Sequence, residues 1–219
     1  MDLKNLINKG IGDLSPYEPG KPIEDLEREL GIQNAIKLAS NENPVGPSPK
    51  ILDSIESVLK ETHRYPDGNA TRLKSSIASK FNVQADQVTI GNGSNDIIEF
   101  VARIFLNQKD SAIYSEHAFA VYPLVVKAVG AKGIEVPSKD FSHDLDLILK
   151  SIEETTKLIF IANPNNPTGT YLTKLELVNL RKKLRKNILL VVDDAYAEYM
   201  KNKDYTSGLQ LFKNKDNVF

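Results

Sequence analysis

Residues 157–172 read KLIFIANPNNPTGTYL. The apolar run Leu158 to Ala162 passes without a polar interruption into a turn of three asparagines, two prolines and a glycine. An unbroken apolar run predicts a strand covered on both faces, since a strand with one wet face would alternate. The turn behind it is rigid. Its prolines fix the backbone, Gly169 admits a positive φ, and an asparagine held in such a turn can aim its amide at a ring substituent. Taken alone, the same turn also reads as an Asx-stabilised loop with no ligand.

The same signature recurs on both sides of this stretch. ILLVV at 188–192 is a second uninterrupted apolar run. Short runs alternate with helical stretches along the chain: QVTI then 95–106, SAIY then 118–129, GIEV then 144–152, KLIFIA then 173–186, and ILLVV followed at the end by NVF. Alternation of this kind predicts an α/β fold with a mostly parallel sheet sandwiched by helices. Upstream, residues 46–62 offer Ser48 as an N-cap, Pro49 at the first helical position and apolar residues at 51, 52, 55, 58 and 59, an amphipathic helix. A turn at Pro66-Asp67-Gly68 leads into another helix ending near Phe81. The segment LSPYEPGKP, 14–22, reads as an extended arm, with IEDLEREL at 23–30 a short helix after it.

Composition narrows the function. The 219 residues carry 28 basic and 29 acidic side chains, a balance without the basic excess that nucleic-acid binders concentrate. The one basic cluster, RKKLRK at 181–186, reads as the solvated face of a helix. There are no cysteines, which excludes disulfides, thiolate metal sites and thiol nucleophiles. His63, His117 and His143 share no metal-ligand spacing, so no metal is expected. The N-terminus lacks an uninterrupted apolar stretch of the signal-peptide kind, no run reaches membrane-spanning length, and a cytoplasmic protein is expected.

In open α/β sheets ligands bind beyond the carboxyl ends of the strands, so the turns there carry the chemistry. Besides NPNNPTG, two stand out. VTIGNGSNDIIEF, 88–100, runs through Gly91 and Gly93 into a helix beginning near Ser94 and Asn95. Small residues and free amides at a helix N-terminus suit a phosphate, although an ordinary glycine turn with an Asx cap fits equally. The third glycine of a dinucleotide fingerprint is replaced by Asp96, and no P-loop lysine follows. ILLVVDDAYAEY, 188–199, ends an apolar strand on two aspartates, which are costly there unless they meet a cation or hydrogen-bond donors. A Walker B acid facing magnesium ends a strand this way, but no matching phosphate loop exists. A protonated pyridine nitrogen is another cation such a carboxylate serves.

Eight segments in fixed order, PYEPGKP, IKLASNENPVGPSPK, HRYPDGN, VTIGNGSNDIIE, SEHAFAVYPLVVKAVGA, HDLD, FIANPNNPTGTYL and VVDDAYAEY, resemble the fold-type I, pyridoxal 5'-phosphate dependent aminotransferases, and within them the histidinol-phosphate aminotransferases. The resemblance runs through nearly the whole chain. It implies an N-terminal arm with part of a small domain over 1–45 and an incomplete cofactor-binding large domain over 46–219. It implies pyridoxal 5'-phosphate as cofactor, with Ser94 and Asn95 on the phosphate and Phe119 stacked on the pyridine ring. Asn166 and Tyr196 would meet the ring hydroxyl oxygen, and Asp193 the ring nitrogen. Tyr65 would reach the phosphate in a neighbouring subunit, which implies a homodimer with shared active sites. Tyr17 and the SNENP segment, Asn41 in particular, would line the way in for substrate.

The implied reaction moves an amino group between glutamate and imidazole acetol phosphate in histidine biosynthesis; the same motifs occur in enzymes acting on aromatic amino acids. The family's usual aspartate-glutamate pair is Asp193-Asp194 here. The lysine that forms the family's Schiff base follows the next strand, in a serine-lysine motif, and Lys201, Lys203, Lys213 and Lys215 sit in polar stretches that do not match it. No catalytic residue is therefore assigned. The chain reads as the first three-fifths of an enzyme, with an inactive binding fragment as the second reading.

Overall fold

The computed structural model describes residues 6–7, 10–12, 14–17, 19–215 and 217–219, so parts of the expected arm lie outside the described residues. The chain divides into two compact units, Pro16–Ser76 and Met1–Ser15 together with Ile77–Phe219.

The first of these holds α1 (Ile23–Leu30), α2 (Pro49–Val58) and the start of α3 (Thr71–Phe81). α1 follows Pro22 and ends on Gly31 at φ 63, a left-handed closure. α2 starts where the sequence places it, with Pro49 in its first turn, but the Ser48 side chain makes no capping hydrogen bond. Its apolar residues Ile51, Leu52, Ile55 and Val58 are all more than half exposed, so the amphipathic stripe is present without a buried face. Asp67 secures the turn before α3, its carboxylate accepting from Asn69 N at 2.9 Å and Thr71 N at 2.8 Å. A hydrogen bond from the Thr71 side chain, together with those two amides, holds the Asp67 carboxyl below the usual range.

The larger unit contains the sheet. Its elements are α4 (Gly93–Phe105), β1 (Ser111–Ser115), α5 (Val121–Ala128), β2 (Lys132–Val136), α6 (Leu145–Lys150), β3 (Thr156–Ala162), α7 (Lys174–Lys183), β4 (Leu189–Asp193) and α8 (Gly208–Phe212). The strands are parallel in the order β2-β1-β3-β4. Ile113 lies opposite Ile159, and Ala162 opposite Asp193. Beyond β4 the NVF segment adds a further parallel rung, with Phe219 N donating to Leu190 O at 2.8 Å and Val192 N to Phe219 O at 2.9 Å.

The unbroken apolar runs bury as their pattern requires. Alternate residues of a strand point to opposite faces. Leu158, Phe160 and Ala162 pack with Ile98 and Val101 of α4 and Tyr122 and Val126 of α5. Ile159 and Ile161 pack on the other face with Ile148 of α6, Leu177 and Leu180 of α7 and Phe212 of α8. Each large side chain buried this way contributes about 1.5–3 kcal/mol.

Three local features depart from the sequence-based expectation. QVTI forms no strand; Ala85–Gln87 is a 3-10 turn and Val88 is extended without a ladder partner among the described residues. An extended run of this kind becomes a strand only beside another strand. Two helices are shorter than their apolar periodicity, α5 starting at Val121 rather than 118 and α7 closing at Lys183 rather than 186. A 3-10 turn at Ala197–Tyr199 and α8 follow β4 where no helix is expected. The basic cluster has structural partners: Arg181 Nε donates to Asn217 Oδ1 at 3.2 Å and Arg185 Nη2 to Glu153 O at 2.7 Å.

Candidate active site

The carboxyl ends of β1, β3 and β4 lie side by side, and the turns leaving them are tied to one another. After β3, Asn163 N donates to Asp193 O at 3.0 Å, adding one rung to the ladder. The fully buried Asn163 side chain then grips Leu172 in both directions, Oδ1 accepting from its N–H at 2.7 Å and Nδ2 donating to its carbonyl at 3.3 Å. Tyr205 OH donates to Asn163 O at 2.9 Å, drawing the segment after β4 onto the same turn. Inside the turn Gly169 takes φ 72, the left-handed value glycine adopts without strain, and its N–H meets Asn165 O at 2.8 Å. Both Asn-Pro peptide bonds are cis. Asn165 Nδ2 donates to Thr168 Oγ1 at 2.8 Å and to His117 O at 3.1 Å, linking the turn to the loop after β1. Asn165 Oδ1 is buried and has no hydrogen-bond partner among the described residues. The turn therefore holds Asn166, half-buried, in a frame fixed from three sides.

β4 ends on Asp193. Its Oδ2 accepts from Tyr122 OH at 2.9 Å and its Oδ1 from Ala195 N at 3.1 Å. Asp194 turns the other way and accepts from Gly208 N and Leu209 N, 3.0 Å each, at the start of α8. Burial pushes the Asp194 carboxyl up, against the two amides that hold it down. The two adjacent acids thus have separate duties, a carboxylate at the sheet edge and a helix cap.

The N-terminus of α4 faces the same edge. Ser94 and Asn95 occupy its exposed first turn; the Asn92 side chain makes no capping hydrogen bond, and Asp96 Oδ2 accepts from Asn92 N at 2.7 Å. Gly91 lets the turn close on the helix, because a Cβ there would meet Asp96 Cβ at 2.8 Å. A cavity of about 390 Å³ runs along β4, lined by Ser94, Ile97, Asp193, Asp194, Gly208 and Phe219 among others. Phe119 stands at the end of the loop after β1, its ring edge-on to Tyr122 at 5.9 Å. Tyr196 follows β4 and packs beside Tyr199 at 6.3 Å.

Ser94, Asn95, Phe119, Asn166, Asp193 and Tyr196 all belong to the sheet unit, on turns at its carboxyl edge. Tyr17, Asn41 and Tyr65 belong to the 16–76 unit. There Tyr65 is fully exposed, Tyr17 is exposed, and Asn41 holds a left-handed φ of 50.

Two further residues shape the edge, and the sequence assigns neither of them a site role. His143, buried before α6, joins two strand ends, Nδ1 lying 2.6 Å from Ser115 Oγ and Nε2 2.9 Å from Ala162 O. The carbonyl can only accept, so Nε2 carries the proton and Nδ1 takes the serine hydroxyl. Burial pushes the imidazole below its ordinary range, against the bond to Ala162. Tyr122 is the other. Its hydroxyl is pushed well above the usual range, first by burial and then by the neighbouring Asp193 charge, so it stays a donor. Among the described residues no cluster of three metal-ligating side chains exists, and no helix is long and apolar enough to cross a membrane.

Comparison with known proteins follows the same outline. A histidinol-phosphate aminotransferase of Nitrosococcus oceani is 47% identical over 213 residues, covering 97% of this chain and 58% of the relative. One from Mannheimia succiniciproducens is 50% identical over 211 residues, 96% of this chain and 58% of the relative. The chain thus spans under three-fifths of the length of these relatives. Among solved structures, histidinol-phosphate aminotransferase from Sinorhizobium meliloti, in complex with pyridoxal-5'-phosphate, superposes with a TM-score of 0.85 at 26% identity, over 95% of this chain and 56% of that one. The family model for class I and II aminotransferases matches residues 33–219, and the chain belongs to that family.

Proposed function

We propose that this chain carries the cofactor-binding part of a histidinol-phosphate aminotransferase, a pyridoxal 5'-phosphate enzyme moving an amino group between glutamate and imidazole acetol phosphate. The observation that carries the reading is Asp193, a carboxylate at the carboxyl end of a parallel strand with both oxygens oriented by donors and the N-terminus of α4 beside it. Curated relatives of that name at 47–50% identity support the substrate class.

The donor set fits the cofactor. A phosphate needs N–H groups and positive dipole, which the first turn of α4 offers at Ser94 and Asn95. A pyridinium needs a fixed carboxylate, which Asp193 is. The ring hydroxyl oxygen needs donors, for which Asn166 in its rigid turn and Tyr196 are the candidates, and Phe119 offers an aromatic face. When bound, the cofactor supplies an electron sink for loss of an amino acid's α-proton. Within that chemistry Asp193 keeps the ring nitrogen charged, Ser94 and Asn95 anchor the far end, and Asn166 sets the ring's rotation about that anchor. Tyr17 and Asn41 are assigned to the substrate entrance, and Tyr65 to the phosphate of a neighbouring subunit in a homodimer. The proposed domain division is an arm with part of a small domain over 1–45 and a large domain from 46, in a cytoplasmic enzyme.

The complete gene product, loaded with pyridoxal 5'-phosphate, is expected to transfer the amino group of histidinol phosphate to 2-oxoglutarate faster than that of phenylalanine. Preference for phenylalanine overturns the substrate. Failure to take up the cofactor, followed by its absorbance, overturns the whole reading.

A further inference from the structure

One side chain touches both the acid and the aromatic platform. Tyr122, on α5, is completely buried, and its ring stacks on Phe160 of β3 with centroids 5.0 Å apart and planes 11° from parallel. The Phe119 ring meets it edge-on at 5.9 Å and 88°. Its hydroxyl donates to Asp193 Oδ2 at 2.9 Å. Ala195 N holds the other oxygen, so the two bonds together fix the plane of the carboxylate. A carboxylate has about four lone-pair positions, and these two bonds leave others open for a ligand N–H. Tyr122 cannot swing away, because the Phe160 stack holds its ring in the core.

The geometry points to Tyr122 as the positioning residue of the site: its hydroxyl aims the Asp193 carboxylate and its ring seats Phe119, so one core residue sets the distance between acid and platform. This inference rests on the cofactor reading above. It makes Tyr122 act through Asp193 on the ring nitrogen, without touching the cofactor.

Tyr122→Phe removes only the hydroxyl and keeps both ring contacts; Asp193 is partly exposed and can take a water in its place. The test titrates the apoprotein with pyridoxal 5'-phosphate and with its 1-deaza analogue, in which C–H replaces the ring nitrogen, following bound ligand by absorbance and fluorescence. Wild type is expected to prefer the natural cofactor. In Tyr122→Phe the preference falls about tenfold, the worth of one charge-assisted hydrogen bond, while affinity for the analogue stays within about twofold. Tyr122→Met, lacking hydroxyl and ring, is expected to weaken both ligands through Phe119 and to lower the preference by the same factor, which covers a Phe variant that folds poorly. Equal loss for the two ligands, or none for either, overturns the positioning role and leaves the cofactor reading standing. A wild type that binds neither ligand, or does not distinguish them, overturns the pairing of Asp193 with the ring nitrogen and this inference with it.

Discussion

Asn163→Ala tests how the turn that carries Asn166 is held. Asn163 is fully buried and Leu172 is 3% exposed, so the two hydrogen bonds between the Asn163 amide and the Leu172 peptide groups lie out of reach of water. Alanine removes both partners at once and leaves a buried N–H and a buried carbonyl unpaired. Each such group costs about 1–3 kcal/mol. The bond to Leu172 N at 2.7 Å is short and that to its carbonyl at 3.3 Å is long, which places the sum at about 2–4 kcal/mol. The backbone bond from Asn163 N to Asp193 O survives the substitution, so the sheet itself should remain. Against a total of about 5–15 kcal/mol for a protein domain this is a large share. Urea unfolding followed by far-UV circular dichroism, extrapolated linearly to water, measures it. A variant within about 1 kcal/mol of wild type, with the same denaturant dependence, would show that Leu172 finds other partners and that Asn163 does not close the turn.

His143 gives the structure an acid sensitivity of known sign. Its imidazole is held below the ordinary range in the fold, so the unfolded chain takes up the proton first as pH falls; stability complete above about pH 6.5 is lost progressively below it. Wild type is expected to lose more unfolding free energy than His143→Gln between about pH 7.5 and about pH 5.5, one unit either side of the free imidazole's ordinary value, and equal slopes refute the assignment. Gly169→Ala isolates a backbone effect, because nothing lies within 4 Å of the added Cβ and only the φ of 72 opposes it. A loss of about 1 kcal/mol by the same urea method is expected, and a gain in stability would refute the strained-turn account.

The central layer of this fold is legible because hydrophobic pattern and burial report the same thing. LIFIA and ILLVV have no wet face, and β3 and β4, like β1, contribute residues to both core clusters. QVTI carries a comparable pattern and forms no strand, since a strand is a relation between two segments and its own residues encode only half of it. α8 is hidden for a similar reason. Its five residues are too few for a helical period, and it is held by the Asp194 carboxylate from 14 residues upstream.

The site divides along the same line. Asn166, Ser94 and Asn95 lie in turns, and Asp193 at a strand end, whose residue types draw attention locally, although an Asx-stabilised turn reads the same way and the family resemblance alone singles these residues out. Tyr122 sits in an apolar stretch where an aromatic is ordinary core, His143 lies between Ser142 and Asp144, and nothing in their neighbours' identities says that one donates to Asp193 or that the other bridges Ser115 and Ala162. The adjacent aspartates make the distinction sharpest. Strand alternation requires Asp193 and Asp194 to diverge, but which faces the ligand edge depends on what each direction offers. One direction offers a buried tyrosine hydroxyl and a single amide; the other offers two amides of a helix that needs a cap. Each carboxylate accepts two hydrogen bonds, so what separates them is direction and not lone-pair count. Asp194 is turned into the start of α8, whereas Asp193 stays at the carboxyl edge of the sheet, which is where the cofactor reading proposed above needs a carboxylate.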